Sequence, residues 1–334
     1  MDSDVKKLLS EVTDIRACLN KPDISLQFPG PVLLRPELSS YALEMATRFQ
    51  QLGVVDATLE HEGVVWRGHL DGSVVDGPWV SFRKMPPKPP TLDTLPTPLP
   101  AAIHRFLLQP ELCEGGLVLI AGPTGAGKTT TASAVVVSRL MALGGFASTV
   151  EQPPEQPLNG WHRGPSRAGY CSQAWVKMVG ESPWADALSG VLRSQSAGTA
   201  NMLFVGEIRE DEAARVALQA AGNGFLVICT SFATDLVSAV QSFGRRLDAS
   251  QQEMYSLLLR GVVFQKLAGK LLTAKLLEAT LPVQQSIALQ KYASLEGEAQ
   301  RQANERFSSL RASQEGHPAP GWNPPRVPLR DLAE

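Results

Sequence analysis

The stretch that decides the fold is residues 116–143, GLVLIAGPTGAGKTTTASAVVVSRLMAL, where a short apolar run, a glycine-rich turn and a helical pattern follow one another. The turn matches the P-loop pattern GxxxxGK[ST] in full and consists of Gly122, Pro123, Thr124, Gly125, Ala126, Gly127, Lys128 and Thr129. In such a loop backbone N–H groups point at phosphate oxygens, and the following helix adds its positive N-terminal end. Lys128 suits the β- and γ-phosphates, the Thr129 hydroxyl suits Mg²⁺, and Thr130 follows at the helix start. The sequence therefore predicts a site for ATP and Mg²⁺.

Outward from this motif, apolar runs alternate with helical patterns, which favours an α/β fold with a parallel sheet. The expected strands are Leu117–Ala121, Phe146–Val150, Met202–Val205 and Phe225–Thr230, and the expected helices are Lys128–Leu143 and Glu210–Ala221. From Asp248 onward the pattern predicts mainly helix, over Gln251–Leu267 and Gln284–Leu310.

Glutamates follow two of the predicted strands. Glu207 comes two residues after the run Met202–Val205, and Glu151 and Glu155 come after the run Phe146–Val150. Because the carboxyl ends of parallel strands line one crevice, these carboxylates are candidates to face the phosphates together. One would hold Mg²⁺ and another would activate water, as phosphoryl transfer requires.

The chain divides by composition into four parts. Residues 1–83 read as a small mixed domain, with helices expected over Val5–Cys18 and Tyr41–Leu52 (the latter capped by Ser39 or Ser40) and strands over Gly63–Trp66 and Trp79–Phe82. Residues 84–100 contain seven prolines and predict a semi-rigid linker. Residues 101–312 would form the P-loop domain with a helical C-terminal part, and residues 313–334 a disordered tail.

Charge and length exclude several classes of protein. Lys and Arg number 31 and Asp and Glu 33, so the formal net charge of -2 argues against direct nucleic-acid binding. No apolar stretch reaches the roughly 18 residues that span a bilayer, and no signal peptide is recognisable. The expected class is a soluble, cytoplasmic, globular protein.

Three segments carry a resemblance to a known family: GLVLIAGPTGAGKTTTASAVVVSRL, STVEQPPE and MLFVGEIREDEAARVALQAAGNGFLV. They resemble the secretion ATPase superfamily, which powers type IV pili and type II, type IV and conjugative secretion, and within it the PilT-like branch. The resemblance spans residues 60–280 and is strongest over 115–235. It implies a RecA-like ATPase domain preceded by a small PAS-like α+β domain, assembled into a homo-hexamer.

The resemblance also implies roles for particular residues. Lys128 and Thr129 match the Walker A lysine and Mg²⁺-binding hydroxyl, and Glu155 matches the catalytic base at the end of the family's Asp box. Glu207 matches the Walker B glutamate, with Arg209 in the same motif. Arg67 and Arg83 align with N-terminal-domain arginines that reach nucleotide, and are expected here to act on a neighbouring subunit.

The chain departs from the family at three places. Gln152 replaces the Asp-box aspartate, and Phe225 and Phe232 replace the two His-box histidines, for which Thr230 or Ser231 could compensate. A phenyl ring forms no hydrogen bond to phosphate. Residues 156–184 match no family motif.

These observations leave three hypotheses open. The first is a hexameric ATPase that drives a type IV pilus, secretion or conjugative machine through an inner-membrane platform protein, at the cytoplasmic face of that membrane. The second is a nucleotide-binding subunit of such a ring with little or no turnover. The third is a nucleic-acid translocase on a similar core.

Overall fold

The structure is a computed structural model that describes residues 3–176, 183–193, 200–269 and 271–314. Within these ranges the chain forms an antiparallel sheet from its N-terminal part and a mostly parallel sheet from the remainder. This confirms the predicted α/β fold, with a RecA-like sheet preceded by a smaller α+β unit. No helix in these ranges is long and apolar enough to cross a bilayer.

The N-terminal sheet has the strand order β3-β2-β1-β6-β5-β4. Its elements are α1 (Ser3–Glu11), β1 (Asp14–Cys18), β2 (Leu26–Phe28), β3 (Val32–Leu33), α2 (Pro36–Gln51), β4 (Asp56–His61), β5 (Val64–Asp71) and β6 (Trp79–Lys84). Helix α2 buries Tyr41, Met45 and Phe49, which are spaced to share one helical face. The Trp66 indole N–H donates to the Tyr41 hydroxyl at 2.8 Å, so a buried polar pair fixes the helix on the sheet.

Two N-terminal predictions need correction. The helix expected over Val5–Cys18 ends at Glu11, because Asp14–Cys18 alternates buried and half-exposed side chains as a strand does. The second helix begins at Pro36 rather than after Ser39 or Ser40, with Arg35 at the N-cap. Proline suits the first helical position because its missing N–H would have no helical partner there.

The second sheet has the order β14-β13-β7-β12-β11-β8-β10-β9, and its strands are parallel from β13 to β10. Its strands are β7 (Gly116–Gly122), β8 (Gly145–Glu151), β9 (Gly160–Arg163), β10 (Ala168–Trp175), β11 (Asn201–Glu207), β12 (Leu226–Phe232), β13 (Leu259–Ala268) and β14 (Leu271–Glu278). The helices are α3 (Ala101–Leu108), α4 (Lys128–Leu143), α5 (Pro183–Arg193), α6 (Asp211–Gly222), α7 (Leu236–Gly244), α8 (Ala249–Leu258), α9 (Leu281–Ala288) and α10 (Leu295–Gln314).

Helices cover both faces of this sheet. Helices α3 and α4 pack on one face, around Ile120, Phe204 and Ile228, and α5 to α8 pack on the other, around Leu119, Val205 and Val227. The central strands are therefore buried on both sides, which explains their near-continuous apolar sequences. The proline-rich segment also joins this core, since Leu92 is buried and its N–H donates to the Ser138 hydroxyl of α4 at 2.8 Å.

The C-terminal helix predictions are partly wrong. The helix expected over Gln251–Leu267 ends at Leu258, and β13 then lies beside the P-loop strand. The β-branched pair Val262 and Val263 sits in its buried centre, where strand geometry is favoured. The helix expected over Gln284–Leu310 is interrupted between α9 and α10. The expected disordered tail, 313–334, lies outside the described residues beyond Gln314.

Candidate nucleotide site

The P-loop connects β7 to α4, and both elements match the predicted strand and helix. Gly125 and Gly127 have φ of 78° and 79°, a left-handed conformation that side-chain-bearing residues rarely adopt. Gly122 serves a different purpose, because a Cβ there would lie 2.0 Å from the Gln265 carbonyl oxygen. The glycines therefore permit both the curl of the loop and the close approach of β13.

Lys128 opens α4 and is 8 % exposed. Its Nζ donates to the Pro123 carbonyl at 3.1 Å and lies 3.7 Å from Glu207 Oε1. Burial lowers the pKa of Lys128, while the carboxylates of Glu207 and Glu155 act in the opposite direction. A buried cation thus lies beside one carboxylate and within the electrostatic influence of a second, an arrangement typical of functional sites.

Glu207 ends β11. Because β11, β12 and β7 run parallel, its carboxylate lies at the same edge of the sheet as the P-loop. Its Oε2 accepts a hydrogen bond from Arg209 Nε at 2.5 Å. Hydroxyl and carboxylate oxygens are ligands that Mg²⁺ prefers, so the half-buried Thr129 and Glu207 fit a magnesium site beside Lys128.

Glu155 lies in the loop that follows β8. Its Oε1 lies 3.3 Å from Nη1 of Arg67, which comes from β5 of the N-terminal sheet of the same chain. The structure therefore brings Lys128, Glu207, Glu155 and Arg67 together, and the arginine needs no second copy of the chain to reach this place.

Arg83 is the cross-strand neighbour of Arg67 but has a different partner. Its Nε donates to Asp14 Oδ1 at 2.7 Å, and its side chain is largely exposed. Arg16, Arg67 and Arg83 line a shallow cavity of about 390 Å³ on the N-terminal sheet. Arg83 thus lies beside Arg67 without contacting the P-loop cluster.

Glu151 does not face the cleft as the sequence suggested. It is 1 % exposed, and its carboxylate accepts a hydrogen bond from Gln173 Nε2 at 2.9 Å. Burial raises the pKa of Glu151 to about 7, although the Gln173 hydrogen bond acts against this shift. Of the two glutamates at and after the end of β8, only Glu155 reaches the charged cluster.

Sequence reasoning missed Gln265 on β13. Its Nε2 donates to the Ala126 carbonyl at 2.5 Å, and its Oε1 is buried without a hydrogen-bond partner among the described residues. The signal was hidden because this stretch was predicted to be helical. As a strand, it places Gln265 against the P-loop turn.

Two cavities adjoin the P-loop. One of about 440 Å³ is lined by Thr124, Glu207, Arg209, Ser231, Phe232 and Arg246. Within the described residues the buried Ser231 hydroxyl has no hydrogen-bond partner, whereas the Phe232 ring is exposed and Phe225 is buried in the core. The other cavity, also about 440 Å³, lies between the start of α4, the proline-rich segment and β13, and Leu95, Pro96, Thr130 and Leu272 are among its lining residues.

Comparison with known proteins places the chain in a family. The model of the type II/IV secretion system protein family matches residues 73–307, and the chain belongs to that family, as the sequence motifs predicted. The type II secretion system protein HxcR of Pseudomonas aeruginosa is 35 % identical over 174 residues, which are 52 % of this chain and 32 % of HxcR. The match therefore spans about a third of the length of that relative.

Two solved structures share the fold over nearly the whole chain. The pilus retraction motor PilT, solved with bound ADP, has a TM-score of 0.70 at 22 % identity, covering 95 % of this chain and 96 % of PilT. The ATPase DotB of Legionella pneumophila has a TM-score of 0.67 at 18 % identity, covering 90 % of each chain. These similarities support the predicted PilT-like fold.

Proposed function

We propose that this protein binds ATP at the P-loop and hydrolyses it. The observation that carries the proposal is the meeting of Lys128, Glu207 and Glu155 at the carboxyl edge of the parallel sheet, with Arg67 of the N-terminal sheet beside Glu155. A phosphate-binding loop alone only binds, whereas two carboxylates beside it supply what hydrolysis additionally requires.

Each residue has a role in this proposal. Backbone N–H groups of residues 124–128 and the ammonium of Lys128 would neutralise the β- and γ-phosphates. Thr129 and Glu207 would hold Mg²⁺, which when bound offsets charge on the phosphate oxygens, and Arg209 would orient Glu207. Glu155 would accept a proton from the attacking water, while Arg67 would stabilise charge on the transferred phosphoryl group.

The two cavities give the nucleotide a place on either side of this centre. The one beside Thr130 and Leu272 has apolar walls suited to a nucleobase and opens at the start of α4. The one beside Glu207 and Ser231 would receive the γ-phosphate and water. Arg83 is exposed and paired with Asp14, and would have to leave this pair to reach nucleotide.

At the level of the assembly, we propose a homo-hexamer that converts this reaction into motion at the cytoplasmic face of the inner membrane. Family membership supports this role, since PilT is a pilus retraction motor and HxcR is a type II secretion system protein. The two sheets, acting as separate domains joined by residues 84–100, would move relative to each other, and a membrane platform protein would receive the force.

The test is Mg²⁺-dependent ATP turnover and ATP binding of the full chain. Lys128→Ala should lose both, because the buried cation at the phosphates is removed. Glu155→Gln should keep binding and lose turnover by about 10²–10⁴-fold, the usual contribution of a general base. Glu253→Gln, an exposed change on α8, is the matched control and should retain full turnover.

A second candidate function is favoured by one observation. Phe232 presents an exposed phenyl ring to the cleft beside Glu207, where the family pattern has a histidine. A subunit that binds ATP without turnover would fit that replacement. Tight ATP binding by the parent protein without phosphate release would establish this second function and contradict the first.

A further inference from the structure

The segment of residues 160–175, which matched no sequence motif, lies against the loop that carries Glu155. Strand β10 runs parallel to β8 and pairs with every residue of β8, from Gly169 opposite Gly145 to Trp175 opposite Glu151. Strand β9 pairs with β10 on the other side, from Arg163 opposite Ala168 to Gly160 opposite Cys171. The loop between β8 and β9, residues 152–159, is therefore anchored at both ends by the strands that flank β10.

Gln173 of β10 contacts that loop from within the sheet. Its Nε2 donates to Glu151 Oε1 at 2.9 Å and to the Gln156 carbonyl at 2.7 Å. Its Oε1 accepts from the Leu158 N–H at 3.1 Å. The Gln173 amide thus forms hydrogen bonds with the Glu151 carboxylate just before the loop and with two backbone groups within the loop. A further contact comes from the Gln173 backbone N–H, which donates to Asn159 Oδ1 at 3.1 Å.

The ion pair between Glu155 and Arg67 cannot hold the loop by itself. Glu155 is about half exposed and its oxygen lies 3.3 Å from Arg67, and a pair so accessible to solvent contributes little to structure. The position of its carboxylate therefore depends on the backbone of residues 152–159. That backbone is held by the bonds to Gln173, one of which reaches the residue directly after Glu155.

We infer that Gln173 is a positioning residue for water activation by Glu155, and that residues 160–175 serve to hold the Glu155 loop at the P-loop. This role rests on the proposed ATP hydrolysis. Gln173 touches neither Lys128 nor the P-loop turn among its described contacts, so it should govern the chemical step and leave ATP binding unchanged.

The experiment compares Gln173→Leu with Ser172→Ala, an exposed change at the neighbouring position of the same strand. Gln173→Leu should lower kcat by about 10–100-fold, because misplacing a reacting group by about 1 Å has an effect of this size. The ATP dissociation constant should change by less than about twofold. In both the apo and ATP-bound protein, peptides spanning residues 155–163 should exchange amide hydrogens faster. Ser172→Ala should match the parent in all three measurements.

A double variant distinguishes positioning from general damage. If Gln173 acts through Glu155, the residual turnover of Glu155→Gln/Gln173→Leu equals that of Glu155→Gln alone. A further drop in the double variant, or unchanged turnover and exchange in Gln173→Leu, would overturn the inference. Should Gln173→Leu fail to fold, Asn159→Ala removes an exposed partner of the same site and should give a smaller loss of kcat in the same direction.

Hydrogen exchange separates the two proposals. If the parent protein binds ATP without turnover, ATP hydrolysis is contradicted. Faster exchange at residues 155–163 in Gln173→Leu would then still show that Gln173 holds the loop, and unchanged exchange would contradict that as well.

Discussion

The four charged side chains at the P-loop differ in how firmly the structure holds them. Lys128 is 8 % exposed and opens a buried helix, whereas the side chains of Glu207 and Arg67 are 27 % and 29 % exposed and that of Glu155 is 48 % exposed. In the proposed reaction, phosphate would thus be bound by a buried group and water activated by a carboxylate at the edge of solvent. At the scale of single residues, the lysine is therefore the most enclosed of the four charged groups and Glu155 the most accessible to solvent.

Glu151 gives a prediction about pH. Its pKa is about 7 in the folded protein, against an ordinary value of 4.5. Between these values the folded chain keeps a proton that the unfolded chain has released, so the free energy of unfolding falls as pH rises from about 4.5 to 7. Glu151→Gln keeps an acceptor for Gln173 without the titrating group, and should be more stable than the parent by up to about 3 kcal/mol at pH 8.

Urea unfolding at pH 5 and pH 8 measures this difference. The parent should lose stability between the two values relative to Glu151→Gln, and Glu253→Gln should follow the parent. Equal pH dependence in the parent and in Glu151→Gln would show that burial of this carboxyl group does not affect folding.

At the scale of elements, β13 supports the P-loop from the side. Its backbone approaches Gly122 too closely for any Cβ, and its Gln265 side chain donates to the Ala126 carbonyl. The P-loop turn is therefore shaped by a strand about 140 residues away in sequence, in addition to its own glycines. This contact constrains the glycine-rich turn from outside its own sequence.

Gln265→Ala should weaken ATP binding by about fivefold, because losing one buried hydrogen bond costs on the order of 1 kcal/mol and loosens the turn. The control is Lys266→Ala, an exposed change one residue further along β13. Isothermal titration with ATP and Mg²⁺ checks both variants. An unchanged dissociation constant in Gln265→Ala would mean that the glycines alone set the conformation of the loop.

The strands of the parallel sheet were predicted with an accuracy that depended on their burial. Strands β7, β8, β11 and β12 were predicted within one or two residues, because strands buried on both faces are apolar throughout and are bounded by turns. The segment of β13 was predicted to be helical because its apolar residues directly follow a helical pattern. They show no separate periodicity that would have indicated a strand. The segment forms a strand because it pairs with β7 in the sheet, and that pairing depends on the tertiary structure.

At the scale of the whole molecule, the two sheets meet at the site. Arg67 from β5 reaches Glu155, and Trp175 from β10 packs against the apolar core of the N-terminal sheet. The proline-rich segment between the sheets contacts α4 through Leu92, and Leu92 and Leu99 join the same apolar core. Movement of one sheet against the other would therefore change the surroundings of Glu155 directly.

The contrast between Arg67 and Arg83 tests this connection. Arg67→Ala should lower ATP turnover by at least about tenfold, because the proposed reaction uses this charge to stabilise the transferred phosphoryl group. Arg83→Ala removes an exposed ion pair with Asp14 and should lower ATP turnover less than Arg67→Ala does. Turnover assays of both variants decide the order, and a larger loss in Arg83→Ala would place that arginine at the reacting phosphate instead.

The sequence by itself determined the phosphate-binding loop, the alternation of strands and helices around it, and the family of the protein. These features are local, because a P-loop is defined by eight consecutive residues and a buried strand by its own apolar side chains. Tertiary structure decided that Glu151 is buried against Gln173 instead of lining the cleft, that Gln265 and Gln173 contact the two loops of the site, and that Arg67, not Arg83, contacts Glu155 of the same chain. Each of these contacts joins residues whose separation in sequence carries no signal, and only the packing of strands side by side brings them within hydrogen-bond distance.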